Sequence, residues 1–188
     1  AELAAAPASL KIVIEDPRSS TPGLGLLMWV KAAYGDQAGK MWQSLAPHIL
    51  TVTKGWSEAY GMFLAGEADM VLSYTTSPTY HLIAEGDDSK AAAIFTEGHY
   101  MQIEVAGKLK AATEPALADK FLAFMMGPVF QAIIPTSNWM YPAFMPKAGL
   151  PSGFETPIKP ENALLFTPDQ AEALRKDALD EWLTALSK

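Results

Sequence analysis

The chain has 188 residues, 49% of them hydrophobic and 19% charged, with a formal net charge of -7 and no cysteine. A chain of this kind buries a sizeable core in one domain, or one and a fraction, and is not intrinsically disordered. Its apolar runs stay short of the ~18 residues that a membrane span needs. Its 14 Lys and Arg are unclustered, which excludes the usual footprint of a nucleic-acid binder. The lack of cysteine removes disulfides, thiolate metal sites and cysteine nucleophiles.

Leu10 to Glu15 is short, β-branched and stopped by Asp16-Pro17, so it reads as a buried strand. Ser19-Ser20-Thr21-Pro22 then supplies hydroxyl caps and an early proline for an apolar helix that ends near Tyr34-Gly35. Gly39 to Leu45 reads as a helix, Ile49 to Thr53 as a strand, Trp56 to Ala65 as a helix ended by Gly66, and Asp69 to Ser73 as a strand. A helix over Pro78 to Glu85 is stopped by Gly86, and Ala91 to Phe95 and Tyr100 to Val105 read as two more strands. This alternation predicts an α/β fold built on a largely parallel sheet flanked by helices.

From Glu114-Pro115 the pattern turns helical, with helices predicted over Ala116 to Met126 and Pro128 to Ile133. Ile134 to Pro142 reads as a turn-rich segment, and Ala143 to Pro160, rich in Pro and Gly, as an extended loop. Thr167-Pro168 opens a final helix to about Leu186, with Ala171, Leu174, Ala178, Trp182 and Ala185 on one face that must pack on something.

Two features point to a ligand. Trp56, Tyr74 and Tyr80 fall at or beside the ends of elements, where open α/β sheets place their ligands, and rings there stack on a heterocycle or face a cation at about 0.5 to 2 kcal/mol per contact. An acidic surface is compatible with a cationic partner. A strand that turns through serines onto a helix N-terminus also makes an anion site, from free N–H groups and the helix dipole. The alternatives are that the rings pack on their own helices and that the serines are ordinary N-caps.

Other chemistry lacks its signals. His48, His81 and His99 are scattered and read as structural, with no metal site implied. There is no Gly-x-Ser-x-Gly elbow, P-loop or Gly-x-Gly-x-x-Gly, and Glu58, Glu67, Asp69 and Glu97 read as solvated helix or turn residues.

Four segments carry a family likeness: Asp16-Pro-Arg-Ser-Ser-Thr-Pro-Gly-Leu-Gly25, Val52-Thr-Lys-Gly-Trp-Ser-Glu-Ala-Tyr-Gly61, Leu72-Ser-Tyr-Thr-Thr-Ser-Pro78 and Ile134-Pro-Thr-Ser-Asn-Trp-Met-Tyr-Pro142. Together, and in order over nearly the whole chain, they resemble the periplasmic thiamine-binding proteins of bacterial ABC importers. The first segment is shared more widely, ferric-ion binders included; the Trp, Tyr and Asn-Trp-Met-Tyr segments point to thiamine.

The resemblance implies a type II periplasmic-binding-protein lobe plus C-terminal helices, from a fold that binds ligand between two lobes and closes by a hinge. It implies a second-lobe α/β domain over 1–133 and, over 134–188, a hinge-proximal segment with helices that pack on a first lobe outside this chain. It implies periplasmic localisation; the chain does not begin with a positively charged segment followed by an apolar stretch, so any signal peptide is expected to have been removed or never present. The implied activity is non-enzymatic: thiamine, thiamine monophosphate or thiamine diphosphate is the ligand rather than a cofactor, and an inner-membrane ABC permease receives it.

Carried over by motif, Ser19 and Ser20 correspond to the phosphate or hydroxyethyl end of the site. Trp56, Tyr74, Thr75, Tyr80, Asn138 and Trp139 correspond to its aromatic and hydrogen-bonding wall. A permanently charged thiazolium suits ring faces and an ester phosphate suits a helix N-terminus.

Three alternatives stand beside this reading. The first is an enzyme of thiamine metabolism on a similar fold, although thiamine-cleaving members use a cysteine nucleophile. A binder of another small ligand such as ferric ion is the second, although tryptophan does not coordinate metals. The third is an interaction module that dimerises through exposed apolar surface. Because a small ligand gains affinity from being enclosed, the chain alone is expected to bind thiamine weakly.

Overall fold

The computed structural model describes residues 1–154 and 163–187. A three-stranded parallel sheet runs in the order β2-β1-β3, with β1 over Ile12–Glu15, β2 over Ile49–Thr53 and β3 over Met70–Val71. All four residues of β1 are buried, which is why a short β-branched run suits the middle of a sheet covered on both faces.

The alternation of side chains along β1 builds three layers. Ile12 and Ile14 join the core made with α1 (Thr21–Tyr34), α2 (Ala38–Leu45) and α7 (Pro168–Leu186), which contribute Leu27, Met28, Trp42, Ala178 and Trp182. Val13 packs on the other side with Ala59 of α3 (Trp56–Leu64) and with Ala68. Thr167 and Gln170 form a reciprocal capping box at the start of α7.

The remaining helices are α4 (Ser77–Tyr80), which runs on into a π-helical turn over His81–Glu85, then α5 (Pro115–Met125) and α6 (Pro128–Ser137). A 71° bend separates α5 from α6. No single described helix is long and apolar enough to cross a membrane.

Contacts divide the chain into two compact units. Unit 1 contains Ala1–Ser73 and Ile94–Gln102 with residues 163–187, and holds the sheet, α1 to α3 and α7. Unit 2 contains Tyr74–Ala93 and residues 103–154, and holds α4, the π turn, α5 and α6. On α7, Ala178, Trp182 and Ala185 are buried in the core of unit 1.

Several local readings are corrected. No strand forms over Ala91 to Phe95 or Tyr100 to Val105; a lone bridge pairs Tyr100 with Leu164. Their composition suits a strand, but a strand needs a ladder partner, and this stretch passes from one unit to the other and back. The strand read over Asp69 to Ser73 is shortened to Met70–Val71 because only Ile12 and Val13 of β1 pair with it. The helix read to Ile133 continues to Ser137 through the buried Pro135, so the turn begins at Asn138. The loop read from Ala143 to Pro160 has no helix or strand over 143–154, and its residues 155–160 lie outside the described residues.

Candidate ligand-binding site

In unit 1 the predicted residues gather at the carboxyl ends of the parallel strands, where the loops after β1, β2 and β3 emerge. The β1–α1 loop is short because Gly23 lets the first turn of α1 sit on the end of β1. A Cβ at Gly23 would lie 2.5 Å from the Glu15 carbonyl oxygen. Ser20 caps α1, its buried Oγ accepting from the Gly23 N–H at 3.4 Å. Ser19 Oγ donates to the Lys54 carbonyl at 2.7 Å, joining the β1–α1 loop to the β2–α3 loop.

Trp56 is the first residue of α3, next to that joint. Its indole N–H donates to Ser73 Oγ at 2.9 Å, just beyond β3, and its ring stacks on Tyr60 at 4.6 Å and 22°. The i, i+4 spacing of Trp56 and Tyr60 on α3 makes that stack possible. Both contacts fix the indole while 36% of the residue stays exposed, a held aromatic surface rather than a core residue.

Unit 2 holds the other predicted residues. Tyr74 and Thr75 are half-buried at the entry to α4, and the Tyr74 backbone N–H donates to Ser77 Oγ at 3.3 Å. Tyr80 ends α4 and meets Trp139 edge-on, with ring centroids 5.2 Å apart and planes at 79°. Trp139 has φ of 56°, the one positive value at a non-glycine position among the described residues. A bulky residue held in the left-handed region costs of order 1 kcal/mol or more and marks over-determined positions such as ligand sites. Before it, exposed Asn138 closes α6 and donates from Nδ2 to Glu104 Oε2 at 3.0 Å.

The structure therefore brings Ser19, Ser20 and Trp56 to one edge of unit 1, and Tyr80 to Trp139 in unit 2. Ser73 and Tyr60, which touch Trp56, were not singled out from the sequence. The four-residue spacing of Trp56 and Tyr60 is the signal that could have found one of them; nothing local marks Ser73.

The electrostatics are uneven. Arg18 grips Asp16 through Nε and Nη2, and this hydrogen-bonded pairing holds the Asp16 carboxyl below its ordinary range. Glu15, at the end of β1, is 1% exposed with no hydrogen bond to either carboxylate oxygen, and burial pushes its pKa up to about 8. Asp69 accepts from the Lys11 N–H and Glu58 from the Lys54 N–H, local roles that suit turn and helix residues.

Ligand atoms of His81, Glu85 and Asp87 lie within 4.8 Å of one another, the only such trio among the described residues. All three are engaged: His81 Nδ1 pairs with Glu85 at 2.7 Å, and Asp87 pairs with Lys90 at 2.9 Å and accepts from the Ser89 N–H. A hollow of about 70 Å³ in unit 1, lined by Leu26, Trp29, Val30, Tyr34, Met41 and Phe95, is too small for an organic ligand, which needs about 300 Å³ or more.

The model of the bacterial extracellular solute-binding protein family matches residues 1–137. The chain belongs to that family. It is 56% identical over 178 residues to the thiamine-binding periplasmic protein of Salmonella typhimurium, covering 95% of this chain and 54% of that protein. To the protein of the same name from Escherichia coli it is 53% identical over 187 residues, covering 100% and 57%. A solved structure of a periplasmic thiamin binding protein superposes with a TM-score of 0.93 at 53% identity, covering 100% of this chain and 58% of the other. The α/β architecture is thus that of a periplasmic binding protein, and the chain spans little more than half the length of these relatives.

Proposed function

We propose that this chain serves a solute-binding component of an ABC importer, which binds thiamine and its phosphate esters in the periplasm and delivers them to an inner-membrane permease. The observation that carries the reading is the set of held but exposed rings at element ends: Trp56 pinned by Ser73 and Tyr60, and Tyr80 edge-on to a strained Trp139. Such rings suit a thiazolium, and relatives more than 50% identical carry thiamine binding in their names. In unit 1, Ser19, Ser20 and the start of α1 suit an ester phosphate; in unit 2, Tyr74, Thr75 and Asn138 offer polar groups.

The role we propose is binding; the thiamine-cleaving enzymes of a similar fold use a cysteine nucleophile, and the 188 residues contain none. The paired rings favour a heterocycle over ferric ion.

Unit 2 exposes Ile103, Val105, Leu109, Leu117, Phe121 and Val129, each more than half accessible. On its own the chain binds thiamine weakly and pairs through these exposed apolar residues, giving a dimer on size-exclusion chromatography.

Titration of thiamine and its two phosphate esters, followed by tryptophan fluorescence, tests the reading and ranks the ligands. Saturable quenching that is lost in Trp56→Ala and in Trp139→Ala supports it. Quenching that persists in both variants contradicts it.

A further inference from the structure

We propose that Ser19 is a positioning residue that sets the preference for phosphate esters: its hydroxyl, donated to the Lys54 carbonyl, holds the start of α1 in register with Trp56 at the start of α3. This deepens the proposed function and rests on the reading of Ser20 with the α1 N-terminus as the anion end of the site and of Trp56 as its ring end.

The two ends begin on opposite faces of the sheet. Ile12 and Ile14 of β1 join the core that contains α1, while Val13 packs with Ala59 of α3. At the edge of the β1–β2 ladder the Asp16 N–H donates to the Thr53 carbonyl at 2.9 Å. Past that bond the two chains part toward their separate helices. Ser19 Oγ, donating to the next carbonyl, that of Lys54, at 2.7 Å, carries the link out into the loops.

Both sides of the link are braced, so it transmits position. On the β1 side the Ser19 and Ser20 N–H groups both donate to the Asp16 carbonyl, at 3.1 and 2.9 Å, and Ser20 caps α1. On the β2 side the Lys54 N–H donates to Glu58 Oε2 at 3.1 Å and Thr53 Oγ1 donates to the Gly55 carbonyl at 3.0 Å. Trp56 follows Gly55 directly, its indole held by Ser73 and Tyr60. Ser20 and Trp56 each lie within two residues of the link. A frame fixed in advance favours the ligand that must engage both ends at once. A phosphate ester carries a ring and an anion and needs that register, whereas thiamine, lacking the phosphate, draws on the ring end alone. With its hydrogen on the Lys54 carbonyl, the Ser19 hydroxyl acts through this spacing rather than as a donor to the phosphate.

The test uses the full chain labelled with 15N, the Trp56 indole signal being assigned with Trp56→Phe. Ser19 is exposed, and circular dichroism checks that Ser19→Ala folds. Without ligand, Ser19→Ala lowers the 15N order parameters of the Lys54 and Gly55 amides, while Ser19→Thr, which keeps a hydroxyl, preserves them. Thiamine, thiamine monophosphate and thiamine diphosphate are then titrated against the Trp56 signal. Ser19→Ala weakens both esters by roughly 2- to 5-fold, as expected for one solvent-facing hydrogen bond, and leaves thiamine unchanged; Ser19→Thr restores the esters. Weaker ester binding with loops that stay ordered overturns the proposal and makes Ser19 a direct phosphate contact. Thiamine binding with an unmoved ester-to-thiamine ratio overturns it and leaves the thiamine reading intact. A chain that binds none of the three overturns the ester preference and the thiamine reading together.

Discussion

Lys31 Nζ donates to Glu181 Oε1 at 2.7 Å, tying α1 to α7 across 150 positions of sequence. Lys31 is 9% exposed and Glu181 30%, and Glu181 Oε2 is buried without a partner. Removing one partner of such a pair leaves a poorly solvated charge, while replacing both by apolar groups is often close to neutral. Lys31→Met should therefore destabilise unit 1 by about 1 to 3 kcal/mol, discounted from the fully buried case because Glu181 reaches solvent. The double variant Lys31→Met with Glu181→Leu should recover most of the loss. Urea unfolding of the three variants checks both statements.

The buried Glu15 predicts a pH dependence of stability. Its folded pKa, about 8, lies above the ordinary value of 4.5, so the folded state holds the proton more tightly than the unfolded state. Below about 4.5 both states are protonated and Glu15 costs nothing; between 4.5 and 8 the unfolded state alone loses the proton and stability falls. Melting temperatures should decline from pH 5 to about pH 8 and level off above it. Glu15→Gln, which cannot ionise, should flatten that decline.

Trp139 separates backbone strain from ring contacts. Its φ of 56° suits glycine, so Trp139→Gly relieves strain that Trp139→Ala keeps. The Gly variant should be more stable than the Ala variant by about 1 kcal/mol, and both should lose the quenching that thiamine produces. Equal stability would mean that the backbone at this position is not strained.

Ser73 gives a narrower test of the unit 1 ring. Ser73→Ala removes the acceptor at 2.9 Å from the Trp56 indole and leaves the stack on Tyr60 in place. A lost hydrogen bond of about 0.5 to 1.5 kcal/mol lowers the stability of unit 1 by up to that amount, and the freed indole weakens thiamine affinity as well. A change in stability alone would assign Ser73 to packing.

Local signals made much of unit 1 legible in the sequence. The β-branched run of β1, the Ser20 cap with Pro22 behind it, and the Thr167 capping box all act over a few residues, and each element formed where those signals placed it. What depended on distant partners was not legible. Ile94 and Ile103 suit a strand by composition, but no strand lies beside them to pair with. Pro135 reads as a breaker, yet it is buried inside α6. Of the proposed site residues, Trp56, Tyr74 and Tyr80 stood out because large rings beside turns are unusual, and Trp139 through the family resemblance. Ser73, which holds the Trp56 indole, did not, because a serine after a strand has many ordinary uses.

The central claim, that this chain carries thiamine-contacting rings, is tested most directly by following the indole N–H signals of Trp56 and Trp139 by NMR as thiamine is added to the full chain. The account predicts saturable shifts of both, with an affinity weaker than about 1 µM because a partly enclosed ligand gains only part of its contacts. Unmoved indole signals at millimolar thiamine, or shifts confined to other tryptophans, would contradict it.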